Sequence, residues 1–151
     1  MSKKLSKDLP LNILSVGTKI LVKDVMDQYL RSLGEVRTFY AAKLSTAVES
    51  FKERRPSIIF CENSFPGGSA IEFIDGIGGL DSSGESYFVL AADAAPEELV
   101  ALAMELGIDE ILVRPFAADD ILQVLDRYRD KCALAELDWV KDLRAAKSAA
   151  M

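Results

Sequence analysis

The chain has 151 residues, half of them hydrophobic and 28% charged, with a formal net charge of −6. This length is enough to bury one hydrophobic core without disulfide or metal support, and the composition is too apolar for a disordered protein. The negative charge disfavours nucleic acids and anionic membranes as partners. Since no stretch reaches the roughly 20 apolar residues of a membrane span, we expect a cytoplasmic protein.

The residue types exclude several kinds of chemistry. The chain contains no histidine, so histidine-activated nucleophiles are excluded and the commonest transition-metal ligand is missing. Its two cysteines, Cys61 and Cys132, stand far apart in the sequence without metal-ligand spacing, and we expect both to be reduced. We therefore predict no catalytic residue, metal site or cofactor, and no enzymatic activity.

Short apolar runs alternate with stretches of helical periodicity from Leu11 onward, which indicates an α/β protein with a parallel sheet covered by helices on both faces. Five strands are predicted, and the third and fourth are the most continuously apolar, as central buried strands should be. The predicted strands are 12–16, 36–41, 57–61, 87–91 and 110–113. Residues 1–10, with three lysines, are predicted to form a disordered tail.

Four helices are predicted between these strands, each from an apolar stripe and most of them with a glycine or proline at the end. The stripes are Val22 to Leu33 in the first, Leu44, Ala47, Val48 and Phe51 in the second, Ile71, Phe73 and Ile74 in the third, and Leu99, Leu102, Ala103 and Leu106 in the fourth. A flexible loop, 76–84, should follow the third helix. Asp93 and Pro96, followed by two glutamates, indicate the start of the fourth.

The last predicted helix begins near Ala118 and meets no helix-breaking residue before Lys147. Its apolar residues are spaced four and three apart in alternation, which is typical of a narrow seam covered by another helix. They are Ile121, Leu125, Tyr128, Cys132, Ala135 and Trp139. Either a partner helix covers this seam, or the helix packs on its own domain. We expect a domain over 11–130 and a helical extension or linker over 131–151.

Two segments resemble the receiver domains of bacterial response regulators. Residues 56–74, PSIIFCENSFPGGSAIEFI, resemble that family's third strand, phosphorylation loop and third helix. Residues 107–116, GIDEILVRPF, are similar to its fifth strand and Lys-Pro-Phe ending. The resemblance covers about residues 11–130. It implies a flavodoxin-like (βα)5 three-layer sandwich of strand order 2-1-3-4-5, and a cis peptide bond before Pro115.

The resemblance also implies a phosphorylation pocket that has lost most of its chemical groups. The family's acidic pair aligns with Gly17 and Thr18, its phosphoryl-accepting aspartate with Glu62, its hydroxyl residue with Ala91, its switching aromatic with Ile111 and its lysine with Arg114. Mg²⁺ requires six oxygen ligands and usually more than one carboxylate, so one glutamate beside a threonine should bind it weakly. The extra methylene of Glu62 displaces the carboxylate by roughly 1.5 Å, which disfavours in-line transfer. The chain is thus similar to a degenerate receiver, or pseudo-receiver.

Glu62 and Arg114 have two interpretations. Glu62 could mimic a phosphoryl group that the planar fork of Arg114 holds through two bonds, which would lock an active-like surface. Alternatively, the two charges only neutralise each other over an abandoned pocket. We favour the second interpretation, because Ala91 and Ile111 leave no side chains that could transmit a locked state.

The leading functional hypothesis is a protein-interaction module within a larger bacterial signalling protein. A protein partner or a second copy would bind the surface formed by the fourth helix, fifth strand and last helix, or the extended last helix. Candidate contact residues are Glu105, Asp109, Arg127 and Arg129, although surface position alone is weak evidence for a contact.

Two other functions remain open. The first is a receiver phosphorylated at an unorthodox residue, with a pocket mouth formed by Ser15, Thr18, Asn63 and Ser64. The second is small-ligand binding at the carboxyl ends of the strands, where flavodoxin-like folds bind their ligands. The second rests on fold analogy alone, since no glycine-rich phosphate loop follows the first strand.

Overall fold

The computed structural model of the chain describes residues 11–18, 36–80 and 86–132. Five strands form one parallel sheet, and we number them in chain order: β1 (Leu11–Val16), β2 (Val36–Ala41), β3 (Ile58–Glu62), β4 (Tyr87–Ala92) and β5 (Glu110–Val113). They are arranged in the order β2-β1-β3-β4-β5, as predicted. The predicted tail 1–10, the first helix and all but two residues of the 131–151 extension lie outside the described residues.

Helices cover both faces of this sheet, which gives the predicted three layers. The helices Leu44–Arg54, Ala70–Gly76 and Glu97–Leu106 contribute to the core on one face. Residues 118–132, which are also helical, contribute Ile121, Val124 and Leu125 to the core on the other face. None of the helices that the structure describes is long and apolar enough to cross a membrane.

Every residue of β3 and β4 is buried, as their apolar sequences predict. The bounds of β2 and β5 agree with the prediction, whereas β3 begins and ends one residue later and thus includes Glu62. After β3 the chain forms a short antiparallel hairpin, Ser64–Phe65 with Gly68–Ser69, that the sequence did not predict. This hairpin connects the end of β3 to the next helix.

The Ala70–Gly76 helix contains the three apolar residues predicted for it and buries two of them. Phe73 and Ile74 are buried, whereas Ile71 is 47% exposed. The reason is helical geometry: Ala70, Phe73 and Ile74 share the face toward the sheet, and position 71 is rotated away from it. Phe73 also contacts the ring of Phe51 edge to face, with 6.3 Å between ring centroids.

The Glu97–Leu106 helix begins at the predicted first turn, with Pro96 as its N-cap and Glu97 and Glu98 following. The side chain of Asp93 accepts a hydrogen bond from Arg114 and does not cap this helix. Within the predicted stripe Ala103 is buried, while Leu99 and Leu106 are partly buried against the core. Gly107 ends the helix in a left-handed conformation with φ of 82°, as predicted.

The final helix packs on its own sheet over its described residues. Leu125 is fully buried, and the ring of Tyr128 contacts that of Tyr87 with 5.9 Å between centroids. Leu125 and Tyr128 therefore do not form a seam for a partner helix, because both already pack against the sheet. Cys132 is partly exposed at the end of the described range, and Trp139 lies outside it.

The two residues Phe73 and Ile71 allow a direct test of this packing. We expect Phe73→Ala to lower the free energy of unfolding by about 3–5 kcal/mol, because it removes a buried ring and leaves a cavity. Ile71→Ala, the matched control on the same helix, should change it by less than about 1 kcal/mol. Urea denaturation of both variants measures the difference, and equal losses would contradict the placement of the two side chains.

Candidate functional site

The residues of the predicted pocket lie at the carboxyl edge of the sheet. Gly17 follows β1, Glu62 ends β3, Ala91 is in β4 and Arg114 follows β5. Glu62 and Ala91 are direct neighbours in the register of β3 with β4, and the amide of Asn63 donates to the carbonyl of Ala91 at 2.8 Å. Adjacent parallel strands thus bring these residues together.

The side chain of Glu62 is buried over Gly17. Glu62 is only 1% exposed, and a Cβ atom placed on Gly17 would lie 2.6 Å from its Oε1 and closer still to its Cδ. Gly17 also has φ of +125°, a conformation that residues with a side chain rarely adopt. Gly17 therefore provides the space that the carboxylate of Glu62 occupies.

Arg114 divides its guanidinium group between two carboxylates. Nη2 lies 3.4 Å from Oε2 of Glu62, and Nη1 donates to Oδ1 of Asp93 at 2.9 Å. The possible two-bond pairing of Arg114 with Glu62 alone is thus wrong, because Asp93 binds one arm of the fork. The peptide bond from Arg114 to Pro115 is cis, as predicted.

Asp93 is the site residue that the sequence analysis missed. It follows β4 directly, at the same edge as Glu62 and Arg114, and this position was the available signal. We assigned its carboxylate to the start of the next helix, which a short polar residue before Pro96 commonly indicates. In the structure its side chain is 83% exposed and pairs with Arg114.

An open cleft of about 260 Å³ lies beside this ion pair. Its lining includes Asn63, Ser64, Ala91, Asp93, Pro96, Leu99 and Arg114. Thr18 instead lines a separate groove with Leu44 and Pro66, and Ser15 is buried within the sheet. The predicted pocket mouth of four polar residues is therefore wrong, because only Asn63 and Ser64 reach the cleft.

The charges of the site do not suit Mg²⁺ or a phosphoryl group. Two carboxylates share one guanidinium, so the charges of these three side chains sum to −1. Gly17 offers no side-chain oxygen, Thr18 faces the other groove, and Glu62 is paired with Arg114, so these residues do not fit an octahedral oxygen site. In the described parts of the chain, no three acidic, cysteine or histidine side chains form a group suited to a metal ion.

The positions that would sense a phosphoryl group have only apolar side chains. Ala91 is 1% exposed and has no hydroxyl to donate. Ile111 packs against the core beneath the Glu97–Leu106 helix. Next to Glu62, burial and the nearby carboxylate raise the pKa of the Cys61 thiol well above its usual range, which keeps this thiol protonated.

Two of the four predicted interaction residues are engaged inside the domain. Asp109 accepts a hydrogen bond from the amide of Phe88 and pairs with Lys131, while Arg127 pairs with Glu110. Asp109 is partly buried, whereas Arg127 remains exposed to solvent despite its ion pair. Glu105 and Arg129 are exposed.

Exposed apolar residues on the same surface were missed by the sequence analysis. Met104 is 76% exposed, and Val100, four residues earlier on the same helix, and Val113 in β5 are also exposed. The available signal was their position outside the helical stripe of Leu99, Ala103 and Leu106. An apolar side chain outside the buried stripe faces solvent.

No family model matches the chain. Among curated proteins, it is 25% identical over 128 residues to the transcriptional regulatory protein DpiA of Escherichia coli K12, which covers 84% of this chain and 56% of DpiA. The chain thus spans a little over half the length of the curated relatives it matches.

Solved structures show the same fold. The signal receiver domain of a LuxO repressor protein from Vibrio parahaemolyticus has a TM-score of 0.69 at 17% identity, covering 85% of this chain and 97% of that domain. The beryllofluoride-activated receiver domain of DrrB has a TM-score of 0.63 at 20% identity, covering 81% and 99%. The chain therefore has the fold of the receiver domains of response regulators, and its sequence is similar to a transcriptional regulatory protein over 128 residues.

Proposed function

We propose that this receiver domain is a pseudo-receiver: a cytoplasmic, non-enzymatic signalling module that acts through protein–protein interaction and without phosphorylation. The observation that supports this proposal most strongly is the burial of the Glu62 carboxylate over Gly17. The side chain that aligns with the phosphoryl acceptor fills the pocket itself.

Access to the acceptor is the first supporting argument. Phosphoryl transfer requires the attacking oxygen, the phosphorus and the leaving oxygen to approach an in-line arrangement. Glu62 is 1% exposed, and one of its oxygens is paired with Arg114. A phosphoryl donor therefore has no path to this carboxylate unless the side chain leaves its buried position.

Charge is the second supporting argument. The family's chemistry depends on Mg²⁺ to neutralise the phosphoryl oxygens, and the residues present do not fit that ion. Arg114 is also shared with Asp93, so its positive charge is largely balanced before any anion arrives. These features support the interpretation that Glu62 and Arg114 neutralise each other, and they do not support a phosphate mimic.

The alternative functions have less support. Phosphorylation at an unorthodox hydroxyl is disfavoured because Ser15 is buried in the sheet and Thr18 faces a different groove. The cleft beside Arg114, at about 260 Å³, falls below the roughly 300–1,000 Å³ of common small-molecule pockets, whereas the groove beside Thr18 has about 620 Å³. Small-ligand binding in that groove has no support beyond its volume.

The exposed apolar residues indicate where a partner would bind. Val100 and Met104 lie on one side of the Glu97–Leu106 helix, and Val113 lies in β5, the strand that follows it. Methionine is enriched at interface cores and adapts its shape to a partner. We infer that this surface, with Glu105 at its polar margin, contacts a protein partner or a second copy of the chain.

The similarity to DpiA suggests the wider setting. DpiA is a transcriptional regulatory protein, and the matched segment covers 56% of it. We infer that the present domain is the regulatory part of a longer bacterial protein, whose remaining part would produce the output.

Titration with Mg²⁺ and beryllofluoride tests the proposal that the pocket cannot be activated. We expect no saturable change in the backbone amide resonances of Asn63, Ala91 or Arg114, because the carboxylate is buried and the metal ligands are missing. The DrrB receiver domain, which beryllofluoride activates, is the positive control for the reagent. Saturable shifts centred on Glu62 would show that the phosphorylation chemistry is retained.

Substitution of Gly17 tests whether Glu62 fills the pocket. Gly17→Ala should cost about 3 kcal/mol or more of unfolding free energy, since it combines an unfavourable φ with overpacking against Glu62. Gly67→Ala is the matched control: Gly67 has φ of +88° but open space around its Cα, so only about 1–2 kcal/mol should be lost. Urea denaturation measures both costs.

A double-mutant cycle completes that test. In a Glu62→Ala background, the cost of Gly17→Ala should fall toward that of Gly67→Ala, because the overlapping carboxylate is gone. Purely additive losses would mean that Glu62 does not occupy the space over Gly17.

Substitution of Met104 tests the proposed surface. If a second copy binds there, Met104→Lys should weaken self-association at least tenfold in sedimentation velocity, while unfolding free energy changes by less than about 0.5 kcal/mol. Ile71→Lys, another exposed apolar residue, is the control and should have no effect. Equal weakening by both substitutions would exclude a specific contact at Met104.

A further inference from the structure

An ionic network joins the final helix to the amino edge of the sheet, at the opposite ends of the strands from the pocket. It consists of Tyr87, Asp109, Glu110, Arg127 and Lys131, and we call these five residues the amino-edge latch. Tyr87 begins β4, Glu110 begins β5 and Asp109 precedes it. Arg127 and Lys131 are four residues apart and so share one side of the helix over 118–132.

Glu110 and Arg127 form the first arm of the latch. The Nε and Nη2 atoms of Arg127 donate to the two oxygens of Glu110 at 2.8 and 2.6 Å. This parallel two-bond arrangement is the strongest geometry for an arginine and a carboxylate. The hydroxyl of Tyr87 donates to the same carboxylate, so Glu110 receives bonds from both a strand and the helix.

Asp109 and Lys131 form the second arm. One oxygen of Asp109 accepts from the backbone amide of Phe88 at 2.8 Å, and the other accepts from Nζ of Lys131 at 2.7 Å. The same ammonium group lies 5.3 Å from the ring centroid of Tyr87, within the range of a cation–π interaction. Each carboxylate of the latch therefore contacts β4 as well as the helix.

The latch differs from ordinary surface ion pairs in its burial. The side chains of Glu110 and Asp109 are 13% and 18% exposed, whereas those of Arg127 and Lys131 are 47% and 58% exposed, so solvent screens these pairs only partly. Burial and the bond to Glu110 together raise the pKa of Tyr87 above its usual range, which keeps the hydroxyl protonated as a donor.

We propose that the amino-edge latch is a conformational control point of the domain: it holds the last described turns of the final helix on β4 and β5, and its loosening is the step that changes the output. The proposal rests on the proposed function, in which the pocket no longer controls the output. Apolar contacts of Ile121, Val124 and Leu125 hold the first turns of the helix, whereas its later turns meet β4 and β5 through the latch and the ring of Tyr128. Loss of the latch charges should therefore loosen the later turns without unfolding the core.

The thiol of Cys132 reports on this movement, because it follows Lys131 directly and is partly exposed. Because the thiol is already partly exposed, the change in its rate of reaction with a maleimide between variants of the full chain, and not the rate itself, measures the opening of the last described turn. Cys61 is buried with a raised pKa and should not react, and a Cys132→Ser variant shows whether this holds.

We expect Glu110→Gln to raise the reaction rate of Cys132 about fivefold, in line with the loss of a partly buried charged hydrogen-bond pair. Asp130→Asn is the matched control, since it removes one carboxylate even closer to the thiol in sequence but leaves all five latch residues intact. Arg127→Lys keeps the charge and loses the two-bond geometry, so its rate should be intermediate. Raising NaCl from about 0.1 to 1 M should accelerate the native chain more than the Glu110→Gln variant.

An unchanged rate in both Glu110→Gln and Arg127→Lys would overturn the latch, and so would equal acceleration by Asp130→Asn. Amide spectra establish that each variant remains folded. If Glu110→Gln does not fold, Arg127→Lys still tests the latch. The outcome is independent of the beryllofluoride titration. If beryllofluoride shifts the amide resonances of the pocket and the variants accelerate the thiol reaction, only the proposed function is overturned. If beryllofluoride has no effect and the variants leave the thiol rate unchanged, only the latch proposal is overturned.

Discussion

A buried carboxylate needs a counter-charge and needs space, and Glu62 imposes both requirements on the carboxyl edge of the sheet. Removing an ion from water costs several kcal/mol, which a nearby opposite charge must offset. Arg114 provides that charge from the end of β5, and Gly17 provides the space after β1. The counter-charge is one that the family's lysine would also carry, whereas the space over Gly17 depends on the absence of a side chain at position 17.

The same requirements determine how the side chains at this edge pack. Here the carboxylate packs against backbone and pairs with an arginine that Asp93 also holds. Restoring one family residue alone would not recover the chemistry, because a side chain at position 17 would collide with Glu62 and an unpaired Glu62 would remain buried.

The sequence predicted the features that local patterns encode. Apolar runs located all five strands to within one residue, and the resemblance of 107–116 to the family predicted the cis bond before Pro115. The features it missed depend on side chains that meet from distant segments. Gly17 and Glu62 are 45 positions apart, and Asp93 accepts from Arg114 although its local context favours a helix cap. Likewise, Asp109 and Arg127 look like free surface charges until the helix is placed over the strands.

These packing relations also limit how the domain could be regulated. A ligand shifts a conformational equilibrium only by the difference between its affinities for the two states. If Glu62 fills the pocket in both conformational states, a phosphoryl group binds weakly to each of them. Its binding then shifts the conformational equilibrium of the domain very little. Strand β5 connects the pocket to the latch, since Arg114 follows its carboxyl end and Glu110 is its first residue. Ile111, between them, is a partly buried apolar residue packed against the core. In the proposed function, control acts on contacts that remain accessible, namely the exposed apolar residues around Met104 and the charged contacts that hold the final helix.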